Sequence, residues 1–156
     1  MLELVVEGEQ RQEALGGLLA RLIEPPCTLF LEGELAAGKT TLARGFLRGL
    51  GYEGKVKSPT YTLLEPYELR DRVCYHFDLY RLADAEELLY LGIEEMLRED
   101  AIWLVEWPAR GAGLLPIADL IVRCEHQGAR RRLLFIPGDE KGRRIISSLQ
   151  RLWNEA

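Results

Sequence analysis

Residues 27–47 carry a pattern that few folds accommodate. A short apolar stretch, Cys27-Thr28-Leu29-Phe30-Leu31, has the character of a buried strand. Next comes Gly33-Glu34-Leu35-Ala36-Ala37-Gly38-Lys39-Thr40, which fits G-x-x-x-x-G-K-[ST], with Thr41 following. Leu42-Ala43-Arg44-Gly45-Phe46-Leu47 then has helical spacing. A loop between a strand and a helix N-terminus turns several backbone N–H groups toward one point, and the helix dipole adds positive potential there. Gly33 and Gly38 allow backbone angles that a side chain resists. Lys39 brings an ammonium to the β- and γ-phosphates, and the Thr40 hydroxyl is placed to ligate Mg²⁺.

The rest of the chain reads as strands alternating with helices. Strands are expected at 2–6, 61–67, 73–80, 101–105, 119–125 and 131–136, and helices at about 9–23, 84–98 and 139–153. Gly92 is a candidate break in the second of these helices. The polar turn at 68–72 makes 61–80 a hairpin, and Pro59 makes 55–60 a loop. In the terminal helix, Ile145, Leu149 and Leu152 share a face that packs on the sheet, with Trp153 at the core edge. The expected fold is α/β: a P-loop NTPase-like three-layer domain with a mostly parallel central sheet and an antiparallel hairpin. The 156 residues suit one domain, 1–156.

A phosphate loop needs a partner acid, because Mg²⁺ takes oxygen ligands or hydrogen bonds to its waters. Glu106 follows the continuous apolar run Ile102-Trp103-Leu104-Val105, the arrangement of a buried strand ending in an acid. Asp78 ends the run Val73-Cys74-Tyr75-His76-Phe77. The plainer alternatives are a solvated strand-end carboxylate for Glu106 and a surface pair with Arg81 for Asp78. His76 is expected to be a packed or hydrogen-bonded histidine rather than a catalyst. Thr60 lies about twenty residues beyond the loop, where many nucleotide switches place a hydroxyl that senses the γ-phosphate. Trp107, beside Glu106, is a packing aromatic that can shield the site from water.

Charge and cysteine content narrow the function. A net charge of −5 opposes clamping nucleic acid with the whole surface, and leaves the local clusters Arg130-Arg131-Arg132, Arg143-Arg144, Lys55 and Lys57, expected as solvated charge. Three cysteines far apart (Cys27, Cys74, Cys124) suit a reducing cytoplasm and small core residues better than disulfides or zinc. No apolar run reaches membrane-spanning length, and the acidic start Met1-Leu2-Glu3 leads us to expect no secretory signal. No Asn-Lys-x-Asp motif for guanine occurs either.

Four segments together are more specific than the loop alone. Residues 33–41, Lys-Ser-Pro-Thr-Tyr-Thr-Leu (57–63), His-Phe-Asp-Leu-Tyr-Arg-Leu (76–82) and Val-Glu-Trp-Pro (105–108) resemble the four signatures of the bacterial TsaE/YjeE family. The likeness runs in order over residues 2–136. It implies a protein that binds ATP or ADP with Mg²⁺ and hydrolyses ATP slowly. It also implies the partners TsaB and TsaD, which build threonylcarbamoyl onto adenosine 37 of tRNAs reading ANN codons, with tRNA met only through that complex. By the same resemblance, residues 36–41 hold the phosphates, Thr40 and Glu106 serve Mg²⁺, and Asp78 is a further metal-side or switch acid. Lys39, Glu106 and Asp78 become the catalytic set, and Ser58-Pro59-Thr60 a switch loop. Positions near the first strand and near residue 130 flank the base. One departure is that position 36, commonly glycine in the family, is alanine here. Two other readings of the loop stand beside this one. A small-molecule kinase of the shikimate or gluconate type has Arg110, between glycines, as its only lid-like arginine. A nucleotide-gated binding module would hold ATP without turnover.

Overall fold

A computed structural model describes residues 1–34 and 36–155. Seven strands form one sheet: β1 (Leu2–Glu7), β2 (Cys27–Gly33), β3 (Leu64–Glu68), β4 (Val73–Asp78), β5 (Ala101–Glu106), β6 (Leu120–Gln127) and β7 (Arg130–Pro137). Their spatial order is β1-β7-β6-β2-β5-β4-β3. The four middle strands, β6-β2-β5-β4, run parallel, and antiparallel pairing at both edges adds β7 and β1 on one side and β3 on the other. The fold class expected from the sequence is the one found.

Side-chain alternation gives the sheet two unlike faces. Leu29 and Leu31 of β2, Cys74 of β4, Ile102 and Leu104 of β5, and Val122 and Cys124 of β6 point to one face. That face is covered by α1 (Glu9–Arg21), α2 (Lys39–Gly49) and α4 (Glu140–Glu155). Ile145, Leu149 and Trp153 of α4 are buried in this core, and Leu152 is half-buried. Trp153 sits at the core edge as expected, under the Arg11 guanidinium at 4.1 Å. On the opposite face, Val73, Tyr75, Phe77, Ala101, Trp103 and Val105 form a smaller core. Its cover is slight: a one-turn helix α3 (Glu87–Tyr90), 3₁₀ turns at Ile93–Met96 and Pro108–Gly111, and loops.

Most boundaries fall within two residues of expectation, and two segments differ by more. The first hairpin strand starts at Leu64, not 61, because Leu63 has φ 67° and its N–H closes a turn onto the Pro59 carbonyl at 2.8 Å. The helix expected over 84–98 is two short pieces separated by Gly92 at φ 78°. Of these pieces only Leu88 and Ile93 are buried, while Leu89 and Tyr90 face solvent, so the segment lacks the continuous apolar stripe of a longer helix.

The three cysteines are free and buried. Burial pushes the Cys27 and Cys124 thiols up to about 12 and raises Cys74 as well, which leaves all three as unreactive core residues. Among the described residues no helix is long and apolar enough to cross a membrane.

Candidate nucleotide site

The strand register fixes the site. Leu31 of β2 and Asp78 of β4 lie on either side of Glu106 of β5, so β4 and β5 finish level while β2 runs on two residues to Gly33. Clefts at such ends are where open α/β sheets bind ligands. Asp78 and Glu106 point to the helix-covered face, the same side as the start of α2. Here a cleft of about 390 Å³ is lined by residues that include Ala36, Gly38, Lys39, Thr40, Thr41, Thr60, Asp78 and Glu106. Of the expected site residues, all but Gly33, Ala37 and Ser58 line this one place; Ser58 is joined through Thr60, Ala37 is buried, and Gly33 lines a neighbouring pocket instead. Leu35, inside the motif, lies outside the described residues.

Each glycine of the motif answers a local need. Gly33 has φ 137°, and a Cβ there would fall onto the Cys124 carbonyl of β6. Gly38 has φ 99° and forms the N-cap of α2; a Cβ there would strike Gln12. Ala36 takes φ 62° without being glycine, so the departure at this position places an alanine in a region where it is strained by about 1 kcal/mol. The Leu42 N–H already bonds to the Gly38 carbonyl at 3.0 Å. The N–H groups of Lys39, Thr40 and Thr41 have no carbonyl within the helix to meet, which makes this end receptive to an anion.

Lys39 is 5% exposed, a rare setting for an ammonium. Its Nζ donates to the Gly33 carbonyl at 2.6 Å and stands 3.8 Å from the Trp107 ring centre, a cation–π contact. Burial pulls its pKa below the usual lysine value, and Glu106 and Asp78 oppose that shift. Trp107 itself has φ 57° and packs on Tyr80 at 4.9 Å between ring centres. Its ring lies over the lysine and lines the cleft.

The carboxylates are not surface groups. Asp78 is buried and makes no pair with Arg81, which instead lies over the Tyr61 ring at 4.6 Å. Burial raises the Asp78 pKa, and the Tyr80 N–H bonding to Oδ1 at 3.1 Å offsets part of this. Glu106 is likewise buried, with Oε2 2.7 Å from His76 Nε2. The Thr60 hydroxyl reaches toward Asp78 Oδ2 at 3.5 Å and meets Ser58 Oγ at 2.6 Å, so the Ser58–Thr60 loop touches the acid wall of the cleft. Two carboxylates and the Thr40 hydroxyl suit a hard cation that keeps waters and shares phosphate oxygens. Among the described residues no group of three or more His, Cys, Asp or Glu is preassembled to hold a metal alone.

Two wall residues were not named individually from the sequence, although the resemblance had put base-flanking positions near the first strand and near residue 130. Gln12, buried on α1, donates from Nε2 to the Gly38 carbonyl at 2.9 Å. A glutamine on the stripe of Leu15, Gly16 and Leu19 was its signal, since a polar residue on a buried face has a partner. The second is Arg131. Strand alternation sends Arg130 and Arg132 outward to Glu7, Glu3 and Glu125, as expected of solvated charge. It turns Arg131 onto the cleft, where it joins Gly8, Glu9 and Ala129.

Comparison with known proteins identifies a family. Residues 6–134 match the family model described as "Threonylcarbamoyl adenosine biosynthesis protein TsaE". The chain belongs to the TsaE family. A TsaE protein of Haemophilus influenzae is 47% identical over 131 residues, covering 84% of this chain and 83% of that protein. One from Bacillus subtilis is 40% identical over 98 residues, covering 63% and 61%. Both are named as tRNA threonylcarbamoyladenosine biosynthesis proteins. The crystal structure of Bacillus subtilis YdiB superposes with a TM-score of 0.79 at 28% identity, over 96% of this chain and 94% of that one. The TsaE match spans every wall of the cleft, from Gly8 and Gln12 through the loop and both acids to Arg131.

Proposed function

We propose that this chain binds ATP with Mg²⁺ and hydrolyses it slowly, in the cytoplasm. In this reading it acts with TsaB and TsaD in the threonylcarbamoylation of adenosine 37 in tRNAs reading ANN codons. The tRNA is met through that complex and not by this chain alone. The names of its relatives support the pathway. The observation that carries the chemistry is the level ending of Glu106 and Asp78 on adjoining parallel strands, beside a buried Lys39.

In this reading the N–H groups at the start of α2 take phosphate oxygens from the ligand, and Lys39 leaves the Gly33 carbonyl for the β- and γ-phosphates. Charge-assisted contacts of this kind replace one neutral acceptor with two anionic ones. Thr40 and Glu106 would hold Mg²⁺, with Asp78 beside them. The ion supplies charge neutralisation on the phosphates, which together with positioning is most of what phosphoryl transfer requires. Thr60, against Asp78, is placed to sense the terminal phosphate, with Ser58 bracing it. Gly8, Gln12 and Arg131 wall the end of the cleft away from Asp78, toward the base.

The test is calorimetric titration of ATP with magnesium into the wild type and into Lys39→Ala, with thermal protection as a second readout. Binding by the wild type and its loss in the variant are expected; equal binding by the two would refute the assignment. Nucleotide-dependent capture by a TsaB–TsaD pair tests the pathway. The kinase alternative gains nothing from Arg110, which lies over the Tyr80 ring at 5.5 Å and does not line the cleft. A binding module without turnover is separated by Glu106→Ala: unchanged hydrolysis with nucleotide-dependent partner binding would favour it.

A further inference from the structure

His76 lies two residues before Asp78 on β4, on the same sheet face as Glu106. In the register it stands opposite Leu104, so Glu106 is its diagonal neighbour across the strand pair. Diagonal neighbours are about 7–8 Å apart, a gap that long side chains bridge. The imidazole does so: Nε2 is 2.7 Å from Glu106 Oε2, with both side chains almost wholly buried. The other ring nitrogen, Nδ1, is the one buried side-chain nitrogen or oxygen among the described residues without a hydrogen-bond partner.

These two facts select a tautomer. A proton on Nδ1 would bury a donor with nothing to receive it, and would set the bare Nε2 lone pair against a carboxylate oxygen. A proton on Nε2 makes a charge-assisted N–H···O bond and leaves Nδ1 as an unfilled acceptor, the cheaper of the two deficits. His76 thus donates to Glu106.

The geometry points to His76 as a positioning residue for Glu106: its Nε2–H grips Oε2 and turns the carboxylate so that Oε1 is offered to the cleft. A free glutamate has three side-chain torsions to fix before it can meet an ion or its water. Holding one oxygen on a strand-borne ring removes much of that freedom in advance. Carboxylate–histidine contacts behind a metal position commonly serve this purpose, and their loss costs metal affinity or activity. The inference rests on the reading of Glu106 as a magnesium-side acid.

Two measurements test it. Nitrogen-15 NMR of the histidine rings in nucleotide-free protein should show a proton on His76 Nε2; an Nε2 without a proton overturns the inference. His76→Leu, His76→Gln and His76→Asn are then compared, because a glutamine amide nitrogen matches the reach of Nε2 and an asparagine amide falls short. ATP affinity in EDTA should stay within about twofold in all three, while the magnesium enhancement of binding and of kcat falls roughly 10- to 100-fold in His76→Leu and His76→Asn. His76→Gln should recover most of it. Wild-type magnesium response in His76→Leu overturns the inference, as does a folded His76→Gln no better than His76→Asn. Should His76→Leu not fold, the glutamine and asparagine variants decide alone. Absence of any magnesium–ATP binding by the wild type would instead refute the function proposed above.

Discussion

The two faces of the sheet are built from the same strands and are covered very differently. One carries α1, α2 and α4, of 13, 11 and 16 residues. The other carries four-residue pieces over β4 and β5, and toward β1 and β7 Arg132 lies between Glu3 and Glu125, about one-third exposed. Parallel strands must be covered on both sides, while antiparallel strands can leave one side wet. The site belongs to the heavily covered face. A buried ammonium and two buried carboxylates need walls that do not yield, and long helices packed on a sheet supply them. The thin side has no such charges to hold.

That contrast can be broken by emptying equal volumes on the two sides. Phe46 of α2 and Phe77 of β4 are both fully buried, one on each face. Phe46→Ala should cost about 4–5 kcal/mol and Phe77→Ala nearer 3, because a cavity walled by short turns collapses more completely than one between helices and sheet. Urea unfolding of both variants measures this. Equal or reversed costs would mean that the short pieces are as rigid as the helices.

Legibility in the sequence followed the same division. The helix-covered side was readable because its signals are periodic and reinforce one another: a strand, a glycine loop and a helix in succession, then apolar runs ending in Asp78 and Glu106. The thin side was misread at 61–63, where the deciding fact is the backbone angle of Leu63, and at 84–98, where the break at Gly92 was legible but not how short the pieces on either side of it are. Within the site, the loop and both acids could be named from spacing. Gln12 and Arg131 could not, since their place depends on how β1 and α1 meet β7 across more than a hundred residues. The role of Trp107 over Lys39 likewise follows from a left-handed turn after β5 that no pattern announces.

A smaller disturbance asks whether the helices of the covered face also hold the loop. Gly45 of α2 abuts α1 so closely that a Cβ would fall onto the Glu13 carbonyl, next to the Gln12 that holds Gly38. Gly45→Ala should cost about 1–3 kcal/mol as overpacking. It should also weaken ATP binding by shifting Gln12. Gly17→Ala is the control: its Cβ would rest at 3.6 Å from the Gly45 carbonyl, an ordinary contact. There the gain in helix propensity should stabilise by up to about 1 kcal/mol. If both variants bind ATP like the wild type, the helix seam does not position the loop.

The smallest effect concerns the charge stored at the end of the covered face, and its sign is fixed by Asp78. Burial raises this carboxyl above its ordinary value of 3.8, so the folded chain holds the proton more tightly than the unfolded chain. From 3.8 up to the raised value, the folded state binds more protons, and stability falls as pH rises. Above that window the ionised carboxylate is a standing cost. Asp78→Asn removes the charge and keeps an oxygen for the Tyr80 N–H, which now bonds Oδ1. Nucleotide-free Asp78→Asn should therefore melt above the wild type at neutral pH, and the gap should close as pH falls below 3.8. With ATP and magnesium the order should reverse, since the variant lacks one of the anionic groups that meet the cation. A lower melting temperature for the nucleotide-free variant at pH 7 would show that Lys39 already compensates the carboxylate, and that the covered face carries its charges without cost.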